Sequence, residues 1–490
     1  MPSLIASGVK GLKWNVAGRA GKQVLQFITL TILANLLDPT DFGLIGMAMI
    51  VIGFINIFRD LGISAALIQR PKITSELFSS VYWFNIFFAF LFTITIIILS
   101  DTISVFYEEP RLTEIMTVLA AGFLINSFSI LQMAVLEKEL RFELISKLDL
   151  LSTLFGSTVA IILAILDYGV WSLVFQSLIT FSINSILLFI YCPMKPNLFY
   201  RFAEVKKVMN FSLYYSGFNL TNYMVRNVDY LLIGKFLGAQ ELGIYSLAYR
   251  IMLYPIQNIT DVIARVIFPV FSRIQNDIIK LRKSFLYINK VISLIVFPLM
   301  IGLIVTSENF TKIFLGEKWL EIVPVLMILA PIGMIQAIYT PAGTLYQSLG
   351  KVKIWFYWGV FTAIFFTIAF IIGLKWGILG VALAYLFANI ITIIPGLYIP
   401  FQFIDLKLST FEKVLRKNLA LSLFMGVVIF IFDFAFSDYN AVLTFSATVI
   451  FGVLIYIPIN IKFNKSLLDS IISLLKNKAD KSIIDKTVIN

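Results

Sequence analysis

The sequence predicts an all-α polytopic membrane protein of about fourteen transmembrane helices, and three observations carry that expectation. Of 490 residues, 59% are hydrophobic and only 14% charged, with a mean hydropathy of +0.91. No soluble domain reconciles that balance with a polar surface. Apolar stretches long enough to cross a bilayer recur along the chain, and the connections between them alternate in cation content.

The stretches fall at roughly 14–36, 42–69, 77–100, 112–136, 148–167 and 169–192, then at 208–236, 241–270, 285–306, 322–348, 353–374 and 376–402, with a last pair at 415–436 and 440–461. Alternate connections carry the cations: Arg70 and Lys72; Lys138, Arg141 and Lys147; Lys195, Arg201, Lys206 and Lys207; Arg273, Lys280, Arg282 and Lys283; Lys351 and Lys353; Lys407, Lys413, Arg416 and Lys417. The positive-inside rule makes these cytoplasmic. The intervening connections, including 37–41, 167–169, 237–241 and 437–440, are poor in cations and face outward. Lys10, Lys13 and the lysine-bearing tail place both termini in the cytoplasm, which requires an even number of spans. Residues 1–21 lack the compact apolar core and cleavage site of a signal peptide and read as an amphipathic lead-in. The tail, 461–490, reads as a helix lying on the membrane surface.

Residues 34–48 (ANLLDPTDFGLIGMA) align without a gap on 234–248 (GKFLGAQELGIYSLA), matching Leu37 with Leu237, Asp41 with Glu241, Gly43 with Gly243 and Ala48 with Ala248. Residues 166–170 (LDYGV) align on 374–378 (LKWGI) at nearly the same offset. Both matches sit at outward turns, so the chain reads as two six-helix lobes related by a pseudo-two-fold along the membrane normal. The expected organisation is an N-terminal lobe at 1–192, a cytoplasmic linker at 193–207, a C-terminal lobe at 208–403, two accessory helices at 404–461 and a cytoplasmic tail at 462–490.

Charged side chains are costly inside a bilayer and turn away from lipid. Here they gather on the first two helices of each lobe. Helix seven carries Asn219, Asn222, Tyr223, Arg226, Asp229 and Tyr230 on one face; helix eight carries Arg250, Tyr254, Gln257, Asn258, Asp261 and Arg265. Helix one offers Arg19, Lys22 and Gln26, and helix two Asn56, Arg59 and Asp60. Arg226 and Arg250 each lie about twelve residues from Gly238, about 18 Å inward and near the midplane. Arg19, Lys22 and Arg59 lie near the cytoplasmic mouth, where snorkelling to the interface explains them equally well. Asp261 with Arg265 and Arg226 with Asp229 are at spacings that also allow plain ion pairing. For Arg226 and Arg250, too deep to snorkel and in excess over the nearby acid, an anionic ligand is the better reading, because guanidinium groups bind phosphate oxygens in pairs. Tyr, Asn and Gln on the same stripes suit sugar hydroxyls, although polar helix packing would use the same residues.

The composition also excludes. The chain has no histidine and one cysteine, Cys192, so it lacks the commonest general base and metal ligand and has no intramolecular disulfide. No phosphate-binding G-x-x-x-x-G-K-[ST] loop occurs. The net charge of +11 is scattered through loops and is not a nucleic-acid footprint. The expectation is a transporter, not an enzyme, without a cofactor or bound metal, driven by a coupling ion, H+ or Na+, or by downhill removal of product. Asp60, Asp229 and Asp261 are the intramembrane carboxylates available for ion coupling. Prolines at 255, 298, 331, 341 and 395 lie inside apolar runs and permit kinks.

Residues 37–43 (LDPTDFG), 60–70 (DLGISAALIQR), 136–142 (LEKELRF), 169–174 (GVWSLV) and 227–250 (NVDYLLIGKFLGAQELGIYSLAYR) resemble the polysaccharide transporter family of the multidrug/oligosaccharidyl-lipid/polysaccharide exporter superfamily, in particular its colanic acid, O-antigen and teichuronic acid exporters. The resemblance implies a central cavity worked by alternating access and a flippase for undecaprenyl-diphosphate-linked oligosaccharide, acting from the cytoplasmic to the outer leaflet of a bacterial inner membrane in exopolysaccharide biosynthesis. Its implied partners are membrane lipids, the lipid-linked glycan, and a polysaccharide polymerase and glycosyltransferases. Relatives often carry Arg where Asn35 stands; Lys235 keeps a cation at the matching place in the second lobe. The rival readings are an ion-coupled multidrug antiporter of the same superfamily, which would prefer an acidic cavity, and a non-transporting scaffold for polysaccharide synthesis.

Overall fold

A computed structural model of the protein describes residues 2–60, 67, 73–436, 439–465 and 467–469, excepting the side chains of 2–17, 19, 57–60, 207–222, 224–226, 258 and 261–266. Among the described residues the regular structure is all helical, with no strand. Of the expected surface helix at 461–490, residues 461–463 continue the last membrane-crossing helix and those after 469 lie outside the described residues.

The helices are α1 (Pro2–Leu36), α2 (Pro39–Asp60), α3 (Ser75–Tyr107), α4 (Arg111–Ser127), α5 (Ile130–Lys138), α6 (Phe142–Ile165), α7 (Trp171–Tyr191), α8 (Phe202–Ile274), α9 (Ile278–Phe310), α10 (Ile322–Ser348), α11 (Val352–Gly373), α12 (Gly377–Gln402), α13 (Leu408–Ala435) and α14 (Ala441–Phe463). The lead-in and first span form one continuous helix, α1. α8 is two helices broken at Gly238, whose φ of 88° only glycine adopts freely. Gly169 and Gly377, which the sequence repeat aligns, also share positive φ, 54° and 67°.

Ten helices among the described residues are long and apolar enough to cross a membrane, so this is a multi-pass membrane protein. One of the ten, Val352–Gln402, contains two expected spans, α11 and α12. The expected spans at 14–36, 208–236 and 241–270 lie in α1 and α8, which are not among the ten. The side chains of much of α1 and α8 lie outside the described residues, so the ten do not bear on these spans; the segments carry Arg19, Lys22, Arg226, Arg250, Asp261 and Arg265. The count of about fourteen rests on those polar helices.

Contacts divide the chain into two compact units, Met1–Ile244 and Tyr245–Asn490. In the first, α1 packs along α6, α6 pairs with α7, α3 pairs with α4, and α2 lies on α3 and α4. Small residues permit the closest approaches: a Cβ on Gly156 would overlap the Thr180 side chain, and one on Gly18 would overlap Ser146. The cation-bearing connection after α7 is clamped to the start of α3. The Asn197 amide donates to Ser79 Oγ at 2.9 Å, the Arg201 amide to Ser80 Oγ at 3.0 Å, and Trp83 Nε1 to the Asn197 carbonyl at 2.8 Å.

The tightest approach joins the two repeated turns. A Cβ on Gly43 would overlap the Ala239 carbonyl oxygen, and a Cβ on Gly243 would overlap the Pro39 carbonyl oxygen. Pro39 aligns with Ala239 as Gly43 aligns with Gly243, so each turn touches the other with the same residues. Such reciprocity is what a local two-fold axis between the turns produces.

In the second unit, α9 packs on α10, α13 and α14, and α12 packs on α10 and α11. Phe285, Phe401 and Phe411 pack edge-to-face and tilted against one another at its core. Pro298, Pro331, Pro341 and Pro395 lie inside continuous helices. Buried amides fasten α13 and α14, the pair outside the repeat. Asn418 Nδ2 donates to the Lys290 carbonyl at 2.9 Å and to Ser293 Oγ at 2.8 Å, and Asn464 Nδ2 donates to Asn418 Oδ1 at 3.0 Å.

Substituting Ala at Gly43 or Gly243 should destabilise the detergent-solubilised protein by about 1–3 kcal/mol, the usual cost of overpacking. The double substitution should cost less than the sum, since both act on one contact. Unchanged thermal unfolding of both single variants would refute the close approach.

Candidate functional site

The expected site residues fall into three groups. Lys22 lies on α1 against α6, where its ammonium sits 3.3 Å from Asp149 Oδ2. The other Asp149 oxygen accepts from Asn184 Nδ2 of α7 at 2.9 Å. Lys22 and Asp149 are each about a third exposed (34% and 30%), so the pair is screened but remains within reach of a ligand. Gln26, one turn on, is half-buried.

On α2 and the first part of α8, Tyr223 donates its hydroxyl to the Ile50 carbonyl at 2.8 Å, which ties the two helices together. A Cβ on Gly53 would overlap that hydroxyl, so glycine makes room for the bond. Asn56 Oδ1 is buried without a hydrogen-bond partner among the described residues. Asp229 is buried, and its Oδ1 accepts from the Tyr230 amide at 2.9 Å. Farther along, Lys235 donates to Glu108 Oε1 at 2.7 Å. Glu108 caps α3 in a left-handed conformation, φ 58°. The Lys235 bond, reinforced by its charge, holds the Glu108 carboxyl below its usual pKa.

In the second unit, Arg250 and Gln257 are exposed and Tyr254 is half-buried. Their spacings of four and three put them along one face of α8, and Tyr254 lies within electrostatic reach of Arg250. Beside them is a polar cluster: Gln336 Nε2 of α10 donates to the Tyr385 hydroxyl of α12 at 2.8 Å, and the Tyr249 hydroxyl lies 3.4 Å from that of Tyr385. The Tyr245 and Tyr249 rings stack at 6.3 Å. An amide between phenols offers donors, acceptors and ring faces, the groups that carbohydrate hydroxyls and C–H faces use.

The side chains of Arg19, Arg59, Asp60, Asn219, Asn222, Arg226, Asn258 and Asp261 lie outside the described residues.

The family described as "Polysaccharide biosynthesis protein" matches residues 32–324. The chain belongs to this family. It is 30% identical over 404 residues to the lipopolysaccharide biosynthesis protein WzxC of Escherichia coli, covering 81% of each chain. It is 29% identical to the teichuronic acid biosynthesis protein TuaB of Bacillus subtilis, covering 88% of this chain and 90% of that one. In fold it is similar to the lipid II flippase MurJ in an inward closed conformation, with a TM-score of 0.75 at 17% identity, over 93% of this chain and 99% of that one. The membership fits the resemblance first seen in residues 37–43 and 227–250.

Within this polysaccharide biosynthesis protein, sequence reading missed several polar groups. Asp149, at the edge of the 148–167 stretch, belongs with the carboxylates near the membrane, as does Asp433 of α13, which accepts from Asn309 Nδ2 at 3.0 Å and Thr448 Oγ1 at 3.2 Å. Gln336 and Tyr385 each stand alone in an apolar run, and only the packing of α8, α10 and α12 brings them together. An isolated amide in such a run was the available signal.

Two predictions follow from these pairs. Lys22→Met and Asp149→Leu should each lower the melting temperature, and a double-mutant cycle should give a coupling of about 0.5–1 kcal/mol; additive effects would contradict the pair. Because the folded Glu108 pKa is depressed, the Lys235 contact stabilises above the ordinary carboxylate pKa and is lost as the pH falls through the lowered value. The Glu108 carboxyl titration, followed by 13C chemical shift, should move upward in Lys235→Met; an unmoved midpoint would contradict the pairing.

Proposed function

We propose that the protein is a flippase that carries undecaprenyl-diphosphate-linked oligosaccharide from the cytoplasmic to the outer leaflet of a bacterial inner membrane, for surface polysaccharide biosynthesis. One observation carries the reading: a member of a polysaccharide biosynthesis family is built of membrane-crossing helices. Among the described residues there is no cluster of His, Cys, Asp and Glu suited to a metal, and the polar groups that stand out suit binding and release.

The lobes are 1–192 and 208–403, joined by the linker 193–207 and followed by accessory helices at 404–461 and the tail at 462–490, with both termini cytoplasmic. The reciprocal contact of Gly43 and Gly243 and the shared positive φ of Gly169 and Gly377 support this repeat. Transport proceeds by alternating access around a cationic central cavity. Arg226 and Arg250 hold the diphosphate near the midplane, and Arg19, Lys22 and Arg59 receive it at the cytoplasmic mouth. Asn219, Asn222, Tyr223, Tyr254, Gln257, Asn258, Gln26 and Asn56 line the path. Lys22 exchanges Asp149 for the incoming phosphate, a small penalty for a partly exposed pair. Tyr249, Gln336 and Tyr385 add a surface for sugar. Asp60, Asp229 and Asp261 are the carboxylates through which H+ or Na+ couples to the cycle. Polymerase and glycosyltransferases act on either side of the step.

Arg226→Ala and Arg250→Ala, at normal membrane levels, should each cut surface polysaccharide at least about tenfold, the loss expected for removing one charge-assisted phosphate contact. Undecaprenyl-linked repeat units should then accumulate on the inner leaflet. Wild-type polysaccharide in both variants would refute the assignment, and proton- or sodium-driven efflux of organic cations by the purified protein would replace it with a drug antiporter.

A further inference from the structure

A crevice of about 400 Å³ opens between α2, α3 and the first part of α8, all within the first unit. Its wall is made by Phe54 of α2, Leu99, Ile103 and Phe106 of α3, and Val228 and Leu231 of α8. Phe54, Leu99 and Phe106 are exposed. Of the polar residues on the wall, the Tyr223 hydroxyl bonds the Ile50 carbonyl and Asn227 Nδ2 bonds the Tyr223 carbonyl at 2.8 Å, and Thr102 and Tyr107 also contribute to it. What remains is aliphatic and aromatic, and from Tyr223 to Leu231 it runs about 12 Å along the helix. Its volume falls within the roughly 300–1,000 Å³ of small-ligand sites.

One end of this apolar slot is charged. Lys235 is one turn beyond Leu231; its ammonium lies 5.4 Å from the Phe106 ring centroid and 2.7 Å from Glu108 Oε1. The Glu108 side chain is 79% exposed and that of Lys235 is 23% exposed. A hydrophobic slot closed by one cation and one anion matches an amphiphile whose head group carries one charge of each sign.

We propose that this crevice binds a zwitterionic phospholipid bearing a primary amine, with an acyl chain against Phe54, Ile103 and Val228, its phosphate on Lys235 and its ammonium on Glu108. Exposed ion pairs exchange partners at little net penalty, so the head group replaces one charge-assisted contact with two. An anionic phospholipid gains Lys235 but meets the Glu108 carboxylate at the same point. A prenyl diphosphate, with more negative charge, is repelled further. The site therefore selects against the head group of a lipid-linked glycan, although its wall shares Tyr223 with the proposed substrate path.

Native mass spectrometry of the purified full-length protein, titrated with phosphatidylethanolamine, phosphatidylglycerol or undecaprenyl phosphate, tests the proposal. Wild-type protein should retain phosphatidylethanolamine at least about fivefold better than either anionic lipid, as an added charge-assisted head-group contact requires. Val228→Trp, which fills the slot, should abolish that retention. Glu108→Lys, an exposed substitution that leaves the packing untouched, should invert the preference toward phosphatidylglycerol and so decides the matter even if Val228→Trp does not fold. Equal retention of the zwitterionic and anionic lipids, better retention of undecaprenyl phosphate, or an unaltered preference in Glu108→Lys would overturn it.

Discussion

The backbone contact between the two repeated turns constrains everything built around it. Gly43 and Gly243 let two helix starts meet carbonyl to Cα, at a distance that any side chain would forbid. With no hydrophobic effect to draw helices together inside lipid, such close packing of small residues is the main force available. Reciprocal use of Pro39 and Ala239 puts a local two-fold at this point. Tyr223 bonding across to α2 and Lys235 reaching Glu108 extend the contact down one side of the first part of α8.

A second constraint acts against the first. The helices brought together here carry the sequence's intramembrane charges, and a charged helix is a poor membrane span unless protein or water covers its polar face. α1 meets this need partly through Lys22, Asp149 and Asn184. The apolar helices of the chain need no such arrangement and pack through edge-to-face aromatic contacts and buried amides, as Phe285, Phe401 and Asn418 do around α9. A scaffold of plain spans thus supports a minority of polar ones, the division of labour a transporter of polar cargo requires.

Much of this was legible in the chain itself. The turns at 37–41 and 167–169 appear where charge and glycine placed them, and the turn at 237–241 appears as the break at Gly238, because turn chemistry is local. The all-helical class followed from composition for the same reason: lipid leaves the backbone few alternatives. Apolarity also marked 14–36, 208–236 and 241–270, which lie in α1 and α8, as spans despite the charges they carry. Pairwise chemistry was least visible. Nothing local to Asp149 names Lys22 as its partner, and nothing local to Gln336 points to Tyr385; each pair is distant in sequence and is created by packing. Tyr223 shows the converse, a residue on a polar stripe whose hydroxyl is engaged with a neighbouring backbone carbonyl.

A protein that flips a lipid-linked glycan must act without any other component of the polysaccharide machinery. The direct measurement is transbilayer movement of a fluorescent undecaprenyl-diphosphate oligosaccharide in vesicles containing only the purified, folded protein, read by the fraction of label reached by an external quencher over time. The account predicts movement well above that of protein-free vesicles, under an imposed ion gradient or with product removed from the far side. A rate equal to that of protein-free vesicles under both conditions would contradict it.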